Sequence, residues 1–454
     1  MPQEWNTEQV LALAPDEAAA KAGKGLARAA QWSELGRADH TLWGAIRGSG
    51  KDPYRVRIDL NEPAFKCSCP SRKFPCKHGL GLLLILVEHA DAIAPAAPPD
   101  WVAEWIAQRA ERREARAARA AEPRAVDADA QAKRAAKRQA RVEDGIEELT
   151  LWLKDVIRQG LANAQTRPLS FWEAMAARLV DAQAPGLARG VKRLAELISS
   201  GEGWQARALA ALGRLHLLCE AHRRIAELPP DIQTDVRIAV GWNVSKDELL
   251  ALPRRRDTWC VLAQRVEREE QLRVQRTWLL GLATGQAALV LQFAAGAQGF
   301  EHAFRLGAQI ETDMLFYPGA LPIRAMPAGD RGPVDREPRP LPAAPALVEA
   351  LDEYSRALAR QPWLERWPMR VGGLLPALRG EPERLLFHDE RGRVLPVVAR
   401  CPSPWEFVAI SGGAPLDVFG EWDGDALRPL AIETKGRLFT FVQTDNAVIL
   451  ARVA

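Results

Sequence analysis

The sequence predicts an α+β protein: an N-terminal β-meander followed by a helix, a helical middle, and a β-rich C-terminal region. Changes in apolar period carry this reading. Residues 41 to 67 alternate with a period of two between turn residues, and residues 143 to 252 carry apolar stripes at helical spacing. From Trp259 onward alternating runs return between Gly and Pro. The expected domains are 1–92, a linker with a basic Ala/Arg-rich helix at 93–142, a helical domain at 143–254, and a β-rich domain at 255–454. A Pro-rich segment near 326–345 is expected to interrupt the last of these.

Residues 7 to 33 read as helix broken near Pro15, with Val10, Leu11 and Leu13 leading in. Thr41 to Ile46, Tyr54 to Leu60 and Ala64 to Cys67 read as antiparallel strands, separated by turns rich in Gly, Asn, Asp and Pro. Gly79 to Val87 is apolar almost all round and must be a buried helix. Pro95, Pro98 and Pro99 mark a linker. Arg109 to Arg141 then holds 11 Lys or Arg against 5 Asp or Glu, which reads either as a solvated helix or as a phosphate-contacting arm.

In the middle, Ile146, Leu149, Leu151, Trp152, Leu153, Val156 and Ile157 are expected to form one buried stripe, and Leu187, Val191, Leu194, Ala195, Leu197 and Ile198 another. His216 and His222 are six apart, which is not a one-face ligand spacing, so they read as core or surface histidines. Strands are expected at Ala288 to Phe293, Asp313 to Tyr317, Arg393 to Val398, Trp405 to Ile410, Leu416 to Trp422, Leu427 to Thr434, Arg437 to Gln443 and Ala447 to Val453. Ala346 to Gln361 returns to helix.

Composition excludes several classes. With 61 Lys plus Arg against 58 Asp plus Glu, the formal charge of +3 gives no global field, so any basic site is local. No apolar run approaches the ~20 residues of a spanning helix, and no basic leader precedes an apolar stretch, so a cytoplasmic, non-membrane protein is expected. Six cysteines are too few for a secreted disulfide scaffold. Three of them cluster, and Cys219, Cys260 and Cys401 are scattered.

The cluster runs Cys67-Ser68-Cys69-Pro70-Ser71-Arg72-Lys73-Phe74-Pro75-Cys76-Lys77-His78. Three thiols and an imidazole suit tetrahedral zinc. With all four positions filled by protein, none is left for water, so the metal is expected to be structural. Cys76 and His78 stand where the next helix begins, and a helix N-terminus favours thiolate over thiol. Lys66, Arg72, Lys73 and Lys77, with Phe74 among them, form a basic rim. The rim can contact nucleic acid or a partner, or it can offset the charge of a three-thiolate site while Phe74 packs on the helix.

Cys-x-Cys, a short insert and Cys-x-His resembles the SWIM zinc finger. All four ligand positions match, and the apolar helix follows where the family has one. The resemblance implies a small β-β-α zinc module that binds DNA or other proteins. The whole chain also resembles long bacterial SWIM-containing proteins, which are often thought to work beside AAA+ ATPases.

One catalytic pattern competes. Leu430 to Lys435 ends in Glu433-x-Lys435, with Asp417, Asp423 and Asp425 upstream, which resembles metal-dependent nucleases using Asp and Glu-x-Lys. Gly436 and a second alternating strand follow, so Lys435-Gly436 reads as a hairpin turn that points the lysine into solvent. His388-Asp389-Glu390 reads as another polar turn. No P-loop, nucleophile elbow or dinucleotide glycine pattern occurs. The expected function is therefore a non-enzymatic, zinc-stabilised adaptor that docks a protein partner. A nucleic-acid-binding regulator is the alternative, and a nuclease working through Glu433 and Lys435 the remote one.

Overall fold

The computed structural model describes residues 7–15, 17–48, 52–60, 64–71, 73–121, 128–201, 203–269, 272–295, 300–302, 304–333, 339–380, 383–398, 404–443 and 448–452. Its N-terminal unit contains helices α1 (Thr7–Ala12) and α2 (Glu17–Gly25), strands β1 (Trp32–Ala38), β2 (Thr41–Ile46), β3 (Tyr54–Asp59) and β4 (Ala64–Cys67), and helix α3 (Lys77–Glu88). The strands form one antiparallel sheet in chain order. The helix expected over 7 to 33 thus stops by Gly25, and Trp32 opens an unexpected strand. A register shift between Ser33 and Gly36 breaks the period of two that would have announced it.

Helix α3 is buried as its composition requires: Leu80, Leu82, Leu83, Leu84 and Ile85 are all fully buried. Gly81 lets it approach the end of α2, since a Cβ there would stand 2.8 Å from the Leu26 Cβ. The alternation of β3 sends Val56 and Ile58 into this core and Arg55, Arg57 and Asp59 to the opposite face of the sheet. That second face is covered by α4 (Asp100–Ala121). The Arg55 and Arg57 guanidinium carbons lie 5.5 and 5.4 Å from the Trp101 ring centroid, and Arg57 lies 5.9 Å from that of Trp105. Arg109 stacks on Trp105 and pairs with Asp59 at 3.2 Å. The first cation of the basic run is thereby committed to the sheet.

The helical middle comprises α5 (Ala128–Gln159), α6 (Leu161–Thr166), α7 (Leu169–Asp181), α8 (Pro185–Ile198), α9 (Trp204–Arg223), α10 (Pro230–Val240) and α11 (Lys246–Leu250). Helix α5 runs unbroken past residue 142. Helices α5, α7, α8 and α9 pack in a ring, with α10 against α8 and α9. Leu149, Trp172, Leu179, Val191, Leu212 and Val236 lie in their shared core, whereas Leu151 and Ile157, expected in the buried stripe, fall off that face of α5 and are exposed. His222 is buried and stacks on Trp242 with centroids 5.9 Å apart, whereas His216 is exposed.

The C-terminal half holds β5 (Arg254–Glu269), β6 (Leu272–Gly281), β7 (Ala287–Ala295), β8 (Gln309–Phe316), β9 (Arg324–Pro333), α12 (Leu347–Arg360), β10 (Trp367–Arg379), β11 (Arg384–His388), β12 (Val394–Pro396), α13 (Pro404–Ser411), β13 (Leu416–Trp422), β14 (Leu427–Thr434), β15 (Arg437–Gln443) and β16 (Val448–Arg452). Strand β5 is long enough to serve two neighbours, β8 along Arg254 to Cys260 and β6 from Trp259 onward. Because β6 pairs with β7, β7 runs parallel to β9, and β9 pairs with β8, the five strands close into a ring. A second ring repeats the order. Strand β10 pairs with β11 and β13, β11 with β12, and β13 with β14, and a parallel bridge from Val397 to Leu427 closes the circuit.

Two local expectations are corrected here, and one strand is new. Trp405 to Ile410 is helix α13, with Phe407 buried against Phe387 and Phe441 while Trp405 is exposed. So short an apolar run does not separate the two periods. The Pro-rich segment begins as strand: Pro327 and Pro333 stand opposite Met314 and Ile310 of β8. Strand β10 had no forecast, because Pro368, Gly372, Gly373 and Pro376 interrupt its alternation, and its register shifts between Val371 and Leu374. Ala447 and Val453, the two ends of the last expected strand, lie outside the described residues.

The bundle meets the first ring through Asp235 of α10. Its buried carboxylate accepts a hydrogen bond from the Ala320 N–H at 2.9 Å, in the connection between β8 and β9. Burial pushes its pKa up to about 6 despite that bond. A carboxyl with a raised folded pKa favours the folded state at low pH, and that contribution is lost as pH rises from about 4 through 6. Asp235→Asn, which keeps an acceptor, is expected to flatten this part of the stability profile. Denaturant unfolding at pH 5 and pH 7 measures it, and equal pH dependence in both proteins would contradict the assignment.

Candidate metal centre

Each ligand is placed by a different feature of the N-terminal unit. Cys67 ends β4, Cys69 follows two residues later, Cys76 is the N-cap of α3, and His78 lies in its first turn. The strand's end and the helix's start are thereby brought to one point. The Nδ1 atom of His78 is 3.8 Å from the Cys67 Sγ and 3.9 Å from the Cys76 Sγ, and the four candidate ligand atoms lie within 4.8 Å of one another. A zinc tetrahedron with Zn–S about 2.3 Å and Zn–N about 2.0 Å has edges of roughly 3.5 to 3.8 Å, so the set fits the ion. Cys76 and His78 are buried and Cys67 and Cys69 half-buried, which keeps bulk water from the centre.

The protonation of the thiols fits the same chemistry. Hydrogen bonding from Cys67 holds Cys76 down to about 4 against the cost of burial, with help from His78 and the Gly79 N–H. Cys67 is pushed up by that shared bond and by burial, and Cys69 by burial. Three thiols crowded this closely compete for one negative charge, and a dication removes the competition by making all three thiolates. The arrangement points to one structural zinc held by Cys67, Cys69, Cys76 and His78.

Comparison with known families agrees. Residues 54–86 match the SWIM zinc finger. The chain carries a SWIM zinc finger. Residues 137–240 match the SWIM-associated four-helix bundle domain, which covers α5 from its first third onward through α10. Neither matched domain is an enzymatic family. No curated protein and no solved structure matches the chain.

Around the SWIM finger, Lys66, Lys73 and Lys77 are exposed, and Arg72 lies outside the described residues. Phe74 is half-buried and meets Phe65 edge-on, with centroids 6.1 Å apart. Phe65 in turn lies over Gly79 of α3. The remaining catalytic pattern comes apart: Lys435, at φ +51°, and Gly436, at φ +70°, form the exposed turn between β14 and β15. Glu433 instead faces Asp417 across β13 and β14, with Arg370 nearby, and burial followed by the Asp417 charge raises its pKa. Among the described residues, the finger's four ligands form the one cluster suited to a metal. No described helix is long and apolar enough to cross a membrane.

Sequence reasoning missed two supports of the SWIM finger. Tyr54 lies against the His78 ring with centroids 5.2 Å apart, and Trp101 and Trp105 clamp the outer face of β3. The signal was present: Arg55-x-Arg57-x-Asp59 places three charges on one strand face, and Trp101 and Trp105 share a helix face.

The purified chain is expected to contain one zinc, and Cys76→Ser is expected to lose both the metal and the fold of residues 54–86. Metal analysis with hydrogen exchange measures this, with Cys219→Ser as the control that retains zinc. Protons compete with the metal for thiolate and imidazole, so zinc should be released as pH falls. A Cys76→Ser protein that kept stoichiometric zinc would remove Cys76 from the ligand set.

Proposed function

We propose that the protein is a non-enzymatic adaptor whose SWIM finger uses structural zinc to present a rigid surface to a protein partner. The observation that carries this reading is the closed ligand set: four protein ligands leave no open coordination position, so the metal has no site for substrate or activated water. The finger is also held from behind. The clamp of Trp101 and Trp105 on Arg55 and Arg57 joins its sheet to α4, so partner binding at the exposed rim acts on a fixed frame. An AAA+ ATPase remains the partner class implied by resemblance, and the cytoplasm the expected compartment.

A nucleic-acid reading of the rim rests on the exposure of Lys66, Lys73 and Lys77. Phe74 favours the protein reading, because its edge contact with Phe65 gives it a packing role in place of an open stacking face. The test pairs two measurements on the zinc-loaded full chain and its Lys73→Glu, Lys77→Glu variant. Affinity capture from a cell extract, with mass spectrometry, is expected to recover a protein partner that the variant loses while keeping its zinc. Duplex and single-stranded DNA titrations across a salt series provide the other arm. If the variant retains its protein partners but loses salt-sensitive DNA binding, the rim is a phosphate contact and the adaptor reading fails.

A further inference from the structure

Helix α5 carries its charge in two blocks. Residues 130–142 hold five Lys or Arg and no Asp or Glu, and Glu143, Asp144, Glu147 and Glu148 follow at once. The sign changes where the helix enters the bundle. Its buried face begins at Val142, and Gly145 stands against the end of α7, where a Cβ would lie 2.6 Å from the Ala182 Cβ. Of the five cations, Arg138 is committed: its guanidinium carbon lies 4.9 Å from the Trp242 ring centroid, and it donates to the Gly241 carbonyl at 3.1 Å. Lys133, Arg134, Lys137 and Arg141 are exposed. Among the described residues, none of these four side chains has an ion-pair or hydrogen-bond partner.

Successive residues of an α-helix turn by about 100° and rise by about 1.5 Å. Lys133, Lys137 and Arg141 therefore form a row at i, i+4 and i+8 with Arg134 beside it, and the four cations share a stripe roughly 100° wide and about 12 Å long. The arrangement is costly to the helix itself. Lys133 and Lys137, Lys137 and Arg141, and Arg134 and Arg138 are like charges at i, i+4, the spacing at which they repel and weaken a helix. A helix face shaped for water alone relieves this by pairing opposite signs, as α5 does further on, where Arg158 meets Asp155 at 3.5 Å. Along the basic block only an anion from outside relieves it.

Four cations over about 12 Å give roughly one charge per 4 Å of axis, close to the spacing of about 3.4 Å between charges along one strand of a nucleic-acid duplex. The surface of a folded protein intersperses both signs and does not present such a line. No aromatic residue occurs from Ala128 to Leu151, so the stripe can meet phosphates but has no ring on which an unpaired base could stack. A duplex, with two strands and a charge every 1.7 Å or so, offers about twice the line charge of a single strand. We propose that the Lys133-to-Arg141 stripe of α5 binds the phosphate backbone of duplex nucleic acid without reading its sequence. The site lies outside the finger and does not depend on the adaptor reading.

The test titrates the zinc-loaded full chain into a fluorescein-labelled DNA duplex and follows anisotropy across a salt series. Four phosphate contacts predict a slope of about −3.6 in log affinity against log salt, or roughly 150-fold for a fourfold rise in salt. Lys133→Gln, Arg134→Gln, Lys137→Gln and Arg141→Gln combined in one protein should lose most of that slope and bind at least about tenfold more weakly at low salt. Gln is as good a helix former as Lys and all four positions are exposed, so this variant should keep its fold and zinc, which circular dichroism and metal analysis check. Lys133→Arg, Lys137→Arg, which keeps every charge, should bind like the wild type. So should Arg254→Gln, Arg256→Gln, which removes two exposed cations elsewhere, and Lys73→Glu, Lys77→Glu in the finger. The proposal is overturned if the wild type shows no salt-sensitive binding, if the four-Gln variant keeps the wild-type slope, or if either of the last two variants loses as much affinity. It is overturned equally if single-stranded DNA or polyglutamate competes as effectively as duplex, the latter outcome assigning the stripe to an acidic protein partner.

Discussion

The N-terminal unit depends on a tetrahedral ion joining the end of a strand to the start of a helix. Without it, β4 and α3 are connected by a polar insert with little apolar surface of its own, and three thiols and an imidazole are crowded together with nothing to neutralise them. Structural zinc in small modules contributes on the order of 10 kcal/mol of folding free energy, comparable to the whole stability of a typical domain. Fixing the start of α3 fixes everything packed on it. Its apolar surface supports α1, α2 and the inner face of the sheet, and the outer face of that sheet supports α4.

Arginine has a different task on each side of the molecule. In the finger, Arg55, Arg57 and Arg109 spread over indole rings, so that a polar strand face is covered without an apolar core. Between the rings, Arg265, Arg276 and Arg366 surround Glu267 and Glu421. Burial opposes ionisation of Glu267, yet the arginines, Arg366 foremost, hold its pKa below the usual range. Pairs of this kind contribute little net stability compared with an apolar contact of equal size, but they permit few alternative alignments. They join one ring of strands to the other.

The legibility of the chain follows from how local each determinant is. The metal ligands span twelve consecutive positions and a fixed spacing dictates their geometry, so they could be named before any fold was known. Helix α3 and the bundle helices announce themselves by composition and period. Strand β1 and strand β10 did not, because a register shift in each spoils the alternation, and α13 was too short for its period to be told from a strand. The basic run from Arg109 reads in sequence as a solvated helix or a phosphate-contacting arm, and no local pattern reveals that Asp59 and Trp105, more than forty residues away from one another in sequence, hold its first arginine.

By itself the sequence determined the zinc chemistry, the order of helical and β-rich regions, and the turn that takes Lys435 out of any catalytic set. These follow from spacing, period and turn-forming residues, all readable within a few positions. Only the tertiary structure decided that the β-rich half closes into two rings of the same connectivity, since closure depends on which distant strands pair. It alone showed that Lys133, Arg134, Lys137 and Arg141 stay open to solvent while Arg138, in the same run, lies over Trp242. Exposure is a property of what packs above a residue, and no local pattern in the chain records it.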